Sequence, residues 1–166
     1  GHVKPSGSLE GLRAPIQDPV LGSPVGDAPI SSIFGRTRSI GSSPHLGTDY
    51  AVPVGTPVHA TARGVVERVY NSSSYGNTVI LNHGVSPSGG GNVYTLYAHG
   101  NSVNVVSGQS VNVGDLIMRS GNTGISTSPH LHYEVIKTIF NPSSEAFFRN
   151  LNTRYAPSEL GKLLGF

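Results

Sequence analysis

Short apolar runs rich in Val, Ile and Tyr recur along this chain, each closed by a cluster of Gly, Pro, Asn or Ser. Gly64-Val65-Val66-Glu67-Arg68-Val69-Tyr70 alternates from side to side as a half-buried strand does. Further strands are predicted over 50–53, 57–61, 77–82, 93–98, 116–118 and 131–136. Gly55-Thr56 turns the first of these into the second, and Asn71 to Tyr75 reads as a polar turn. His83 to Asn92 holds a Ser-Pro-Ser-Gly-Gly-Gly run and is expected to be a loop. Val103 to Val113 carries two turn signals about a short extended piece, and Phe34-Gly35-Arg36 is expected to open the first ordered hairpin. The pattern changes at the end. Ser143–Leu151 and Pro157–Leu164 have helix-start residues followed by good helix formers.

Composition narrows this picture. The 166 residues suit one domain with a modest core. Gly 22, Pro 12 and only 12% charged residues, with many β-formers, favour a mainly β, turn-rich antiparallel protein. Residues 1–30 read as an extended lead-in along one side, 31–142 as the body, and 143–166 as a helical tail packed on it. Net charge is +2 with no Lys/Arg run, so nucleic-acid binding has no footprint, while weak attraction to an anionic polymer fits. With no cysteine there are no disulfides, thiolate ligands or thiol nucleophiles, and any metal is left to nitrogen and oxygen. No apolar run is long enough to span a bilayer. No export signal is read, but Gly1-His2 looks like a tag-cleavage scar, so that reading carries no weight.

The chemistry lies in three fragments: His45-Leu46-Gly47-Thr48-Asp49, Tyr97-Ala98-His99 and His130-Leu131-His132. Pro44 before His45 and Gly47 inside the first fragment argue against a helix, so His45 and Asp49 should sit on a loop running into a strand, bent at Gly47. In a strand, His130 and His132 point to one side and Leu131 to the core. Glu134 continues the imidazole face, either as a partner of a metal-bound imidazole or as a surface salt bridge. Two imidazoles and a carboxylate leave a fourth zinc position for water, whose pKa would fall from about 15.7 toward roughly 7. The remaining imidazoles are then available for proton transfer and oxyanion stabilisation near neutral pH. Other groups have plainer readings. His2 belongs to the scar, His59 is an exposed strand residue, His83 is structural, Tyr97 and Tyr133 pack, and Arg36 and Arg38 are solvated unless they line a groove.

These residues resemble the LytM/lysostaphin-type zinc metallopeptidases of the M23 family. The likeness runs from about Phe34 to Pro142. It rests on Phe34-Gly35-Arg36, the run from His45 to Val58, Gly64-Val65-Val66, Tyr75-Gly76-Asn77, Tyr97-Ala98-His99, Val111-x-x-Gly114-Asp115-x-Ile117, Gly121 to Thr127 and Pro129 to Val135. The resemblance implies a β-sheet groove with Zn2+ held by His45, Asp49 and His132. It assigns His99 and His130 to catalysis and implies attack by zinc-activated water on a peptide of bacterial peptidoglycan. It further implies a monomer working in the cell envelope or outside the cell. Three positions depart from the pattern: Gly100 where a Leu often follows the His, and Met118 and Ser128 where Gly is frequent. All three are expected at the surface. Some relatives carry a Tyr shortly before the first zinc His, but none lies between Phe34 and His45 here.

Two other readings compete. A non-catalytic peptidoglycan-binding or scaffold protein of the same fold would be expected to have lost ligands. Val111-x-x-Gly114-Asp115 also resembles the hammerhead segments of biotinyl and lipoyl carriers, but the next lysine is Lys137, beyond the His pair.

Overall fold

The computed structural model of the protein describes residues 20–35 and 45–166. Among these, ten strands form one antiparallel sheet system. In chain order they are β1 (Ile30–Ser32), β2 (Thr48–Tyr50), β3 (Pro57–His59), β4 (Gly64–Ser72), β5 (Gly76–Val85), β6 (Asn92–Val103), β7 (Ser110–Val111), β8 (Leu116–Ser120), β9 (Leu131–Thr138) and β10 (Arg154–Tyr155). The main path runs β1-β2-β9-β6-β5-β4-β7, with β10 added to β9 and β8 joining β6 to β3. Two one-turn helices, α1 (Glu145–Phe148) and α2 (Leu160–Leu163), lie in the tail. No helix among the described residues is long and apolar enough to cross a membrane.

The period-two alternation of the strands gives the sheet two buried faces. Leu131, Tyr133 and Val135 of β9 enter the larger core cluster with Val79, Leu81, Val93 and Tyr97. Ile136 points the other way, into a smaller cluster with Ile80, Leu96, Ala98 and Phe147. His132 and Glu134 share the parity of Ile136, so they lie on this second face. The tail covers both sides: Phe147 of α1 caps the smaller cluster, and Leu160 and Leu163 of α2 join the larger one. Residues 20–29 run along the larger core, where Val20, Val25 and Ala28 pack and Leu21 N–H donates to the Thr61 carbonyl.

Several expectations are adjusted. Only 86–91 loops between β5 and β6, because the ladder continues past His83 to the Val85–Asn92 pair. The first expected tail helix shrinks to one turn, since Asn141, Ser144 and Asn150 use their side chains in local turns and caps, whereas the second is helical from Pro157 to Leu163, a 3-10 turn leading into α2. The first hairpin is opened by β1, ahead of Phe34. Arg36, Arg38, His2 and residues 1–19 of the lead-in lie outside the described residues. Gly100 and Met118 are not at the surface: both are buried, and a Cβ on Gly100 would stand 2.9 Å from Met118 Cε. Ser128 is exposed as expected.

Candidate metal centre and active site

The register of three neighbouring strands assembles the centre. Asp49 on β2 pairs with His132 on β9, which pairs on its other side with Ala98 on β6. Directly paired residues share a face at close range, so His132 Nδ1 lies 2.8 Å from Asp49 Oδ1. His45, on the loop before β2, brings Nε2 to 3.5 Å from the same oxygen. His130 precedes β9 in an isolated bridge to Gly121 and places Nε2 3.7 Å away. The close approach of the His45–Asp49 segment to β9 depends on Gly47. A Cβ there would lie 2.5 Å from the Tyr133 carbonyl and 2.9 Å from His132 Cε1.

Each imidazole is anchored by one nitrogen and presents the other. His45 Nδ1–H donates to the Ile33 carbonyl at 3.2 Å, with Ser32 Oγ at the same distance. His99 Nδ1–H donates to the Thr123 carbonyl at 2.6 Å, and His130 Nδ1–H to the Ser128 carbonyl at 2.9 Å. His132 is reversed: its Nε2–H donates to Glu134 Oε2 at 2.7 Å, leaving Nδ1 to face Asp49. The opposite nitrogen thus fixes which ring atom each histidine offers.

His99 reaches this face through a fault in the ladder. Asn77 pairs with Gly100 and Val79 with Tyr97, so Ala98 and His99 together oppose Thr78. A bulge of this kind re-aims a side chain that plain alternation would send to the other face. His99 has φ +62°, the one positive φ on a non-glycine residue among those described, a conformation that surrounding contacts must enforce. Its N–H donates to the Tyr75 carbonyl. Gly76 makes room for Thr123, whose Oγ1 would stand 2.2 Å from a Cβ there. The result sets the His99 ring 4.7 Å from that of His130 and 6.1 Å from that of His132.

Behind His132 stands a buried ion-pair assembly. Glu134 Oε2 also accepts from the Tyr75 hydroxyl at 2.5 Å, and Arg154 Nε donates to Oε1 at 2.8 Å. Burial pushes Glu134 up, but His132, Arg154 and Tyr75 outweigh it and bring it down to about 2. Burial likewise opposes the charge on His132, yet Asp49 and Glu134 on its two nitrogens raise it to about 9. Burial also pushes Asp49 up, and hydrogen bonds and charge from His132 and His45 more than reverse it, holding the carboxyl well below the usual range. The point between Asp49 Oδ1, His132 Nδ1 and His45 Nε2 therefore attracts positive charge. Burial lowers His99 despite its bond to the Thr123 carbonyl, which favours a neutral ring.

The donor atoms of His45, Asp49 and His132 lie within 4.8 Å of one another. Ligands about 2.1 Å from one tetrahedral ion stand roughly 3.4 Å apart, close to the 2.8 and 3.5 Å separations of the imidazole nitrogens from Asp49 Oδ1. The donor set fits a metal ion. All five singled-out residues meet here, His45 from a loop and Asp49 from within β2. His59 stays apart, half-buried with Nδ1 3.1 Å from the Gly114 carbonyl, and His83 is enclosed in the core. Glu134 proves fully buried, which excludes a surface salt bridge. Sequence reasoning missed Tyr75 and Arg154 as parts of the site. Tyr75 stood inside the recognised Tyr75-Gly76-Asn77 run, whereas no spacing ties Arg154 to Glu134.

Comparison with known proteins identifies the family. The model of "Peptidase family M23" matches residues 43–144. The chain is 46% identical over 95 residues to "Peptidoglycan DD-endopeptidase ShyA" of Vibrio cholerae, covering 57% of this chain and 20% of that protein. It is 44% identical over 90 residues to "DD-carboxypeptidase/endopeptidase Mpg" of Neisseria meningitidis, covering 54% and 19%. It thus spans about a fifth of the length of these relatives. Among solved structures, a zinc-containing peptidase from Vibrio cholerae superposes with TM-score 0.68 at 29% identity, covering 84% of this chain and 39% of that one. The catalytic domain of lysostaphin from Staphylococcus simulans gives 0.65 at 27% identity, with 83% and 95% covered. With the family model matching more than half of its length and a mainly antiparallel β fold shared with lysostaphin, the chain belongs to peptidase family M23.

Proposed function

We propose that this chain is a zinc endopeptidase module that hydrolyses peptide cross-links or stem peptides of bacterial peptidoglycan. One observation carries the reading: His45 Nε2, Asp49 Oδ1 and His132 Nδ1 converge, with two further anchored imidazoles beside them. In this reading His45, Asp49 and His132 hold zinc. Three nitrogen and oxygen ligands suit a catalytic zinc with an open position. Zinc bound there would supply a Lewis acid that activates water and polarises the scissile carbonyl.

His99 and His130 do the remaining work. Because the carbonyls of Thr123 and Ser128 hold their Nδ1–H groups, each presents Nε2 to the reacting atoms. Between them, one Nε2 takes the proton of the attacking water, and an Nε2 that carries a proton donates to the developing oxyanion. The relatives' names point to D,D bonds, and we assign that bond class to this chain. An enzyme of this polymer works in the cell envelope or on a neighbouring cell's wall. All five groups come from one chain, which fits a monomer.

The test is digestion of purified peptidoglycans of several cross-link types, with mass analysis of the fragments. Cleavage at D,D bonds should stop with a strong chelator and return with zinc, and Asp49→Ala should lose both metal and activity. Cleavage indifferent to chelation would remove the mechanism. A folded chain that binds the wall but releases no fragments with zinc supplied would make it a binding module.

A further inference from the structure

Arg154 lies in β10, beyond the residues that the family model matches. It pairs with Ile136 on β9, and its side chain is wholly enclosed. Nη1 donates to the Phe147 carbonyl and to Thr153 Oγ1, which locks the guanidinium in place. Nε and Nη2 each stand 2.8 Å from Glu134 Oε1. The other oxygen, Oε2, accepts from His132 Nε2–H and the Tyr75 hydroxyl. The carboxylate is therefore divided: one oxygen belongs to the tail and the other to the metal-facing imidazole.

Such a division has consequences. A buried carboxylate that loses its cation turns toward other donors. That movement would disturb the acceptor that holds a proton of His132 on Nε2 and so leaves Nδ1 as the nitrogen offered to a metal. We propose that Arg154 is a positioning residue of the metal centre. It fixes Glu134, Glu134 fixes the tautomer and tilt of His132, and the C-terminal segment thereby becomes part of the site rather than a cover for the sheet. This inference rests on the reading of His132 as a metal ligand.

The test measures zinc affinity of the full chain by competition with a chromophoric chelator, well below its unfolding temperature. Arg154→Met should weaken zinc binding about 10- to 100-fold, the usual cost of losing an outer partner of a ligand histidine. Arg154→Lys keeps the charge but not the forked donors and should weaken it less. In a Glu134→Gln background, Arg154→Met should add little, because the two act in series. By NMR, the hydrogen-bonded Nε2–H signal of His132 should shift or vanish in Arg154→Met. Leu160→Ala, a buried tail residue of the larger cluster, controls for general loosening: it should lower the melting temperature and leave zinc affinity alone. Should Arg154→Met fail to fold, Arg154→Lys carries the test, and unchanged affinity there overturns the proposal. Wild-type affinity in Arg154→Met, a full-sized effect in the Glu134→Gln background, or an equal loss in Leu160→Ala would also overturn it. Those outcomes leave the metal reading standing, whereas a wild-type chain that binds no zinc would overturn both.

Discussion

Acidification should destabilise this protein through His83, a residue remote from the chemistry. His83 is fully buried, with Nδ1–H donating to the Arg63 carbonyl at 2.9 Å and Nε2 accepting from the Thr95 hydroxyl at 2.7 Å. A neutral ring satisfies both contacts. A second proton would confront a hydroxyl already tied through Tyr97 and Thr61 to Tyr133. Burial lowers the imidazole from 6.5 to about 4, against the smaller opposing pull of the Arg63 carbonyl. The unfolded chain thus takes up its proton near pH 6.5 and the folded chain only near 4. Between those values the unfolded state binds more protons, so stability falls as pH falls. The contribution is intact above 6.5 and lost as the pH passes through 4. At about 1.36 kcal/mol per unit, the gap corresponds to roughly 3 kcal/mol, a large share of a typical domain's 5–15 kcal/mol. Urea unfolding of the chelated protein from pH 7 to 4, beside His83→Asn, would measure it. Asparagine can donate to the Arg63 carbonyl but does not titrate, and other titrations are common to both proteins. The wild type should lose roughly 3 kcal/mol more than the variant over this range. Parallel stability curves would refute the reasoning.

Other consequences are local to the site. His99→Ala should lower kcat about 10²- to 10⁴-fold while zinc content by elemental analysis stays at the wild-type level; loss of the metal instead would make His99 a ligand. Gly47→Ala forces a Cβ to within 2.5 Å of the Tyr133 carbonyl, so it should cost about 1–3 kcal/mol of stability and weaken zinc binding, as read by denaturation and chelator competition. Gly100→Leu should overpack Met118 at about 1–3 kcal/mol, and Met118→Gly should leave a cavity at about 2–5 kcal/mol. Their combination should recover at least about 1 kcal/mol relative to the sum in a double-mutant cycle.

The strands were legible because period-two alternation and β-branched residues say the same thing about 64–70, 93–98 and 131–136. Leu131 turned to the core and His132 to the site, as parity requires. The pairing of Asp49 with His132 was legible only through the family resemblance, since nothing in the local pattern fixes which strands become neighbours. The orientation of His99 was not legible at all. By alternation it should share a face with Tyr97, and the bulge that turns it over comes from Tyr75, Gly76 and Thr123, far away in the chain. Arg154 was hidden for the same reason: a buried ion pair between β9 and β10 has no sequence period.

Gly100 and Met118 show what such hidden contacts do to a reading made one position at a time. Each looks like a separate lapse from the family pattern, a small residue where a large one is frequent and a large one where a small one is frequent. Surface tolerance is the natural expectation for both. In the fold the two lie against each other, with Met118 Sδ and Cε filling the space beside Gly100. Met118 on β8 supplies the volume that Gly100 on β6 leaves open behind the His99 bulge. A close-packed interior permits change at these positions only in concert, because either substitution alone leaves a clash or a void. The two positions are therefore coupled through packing, and together they fill the space beside the backbone that aims His99.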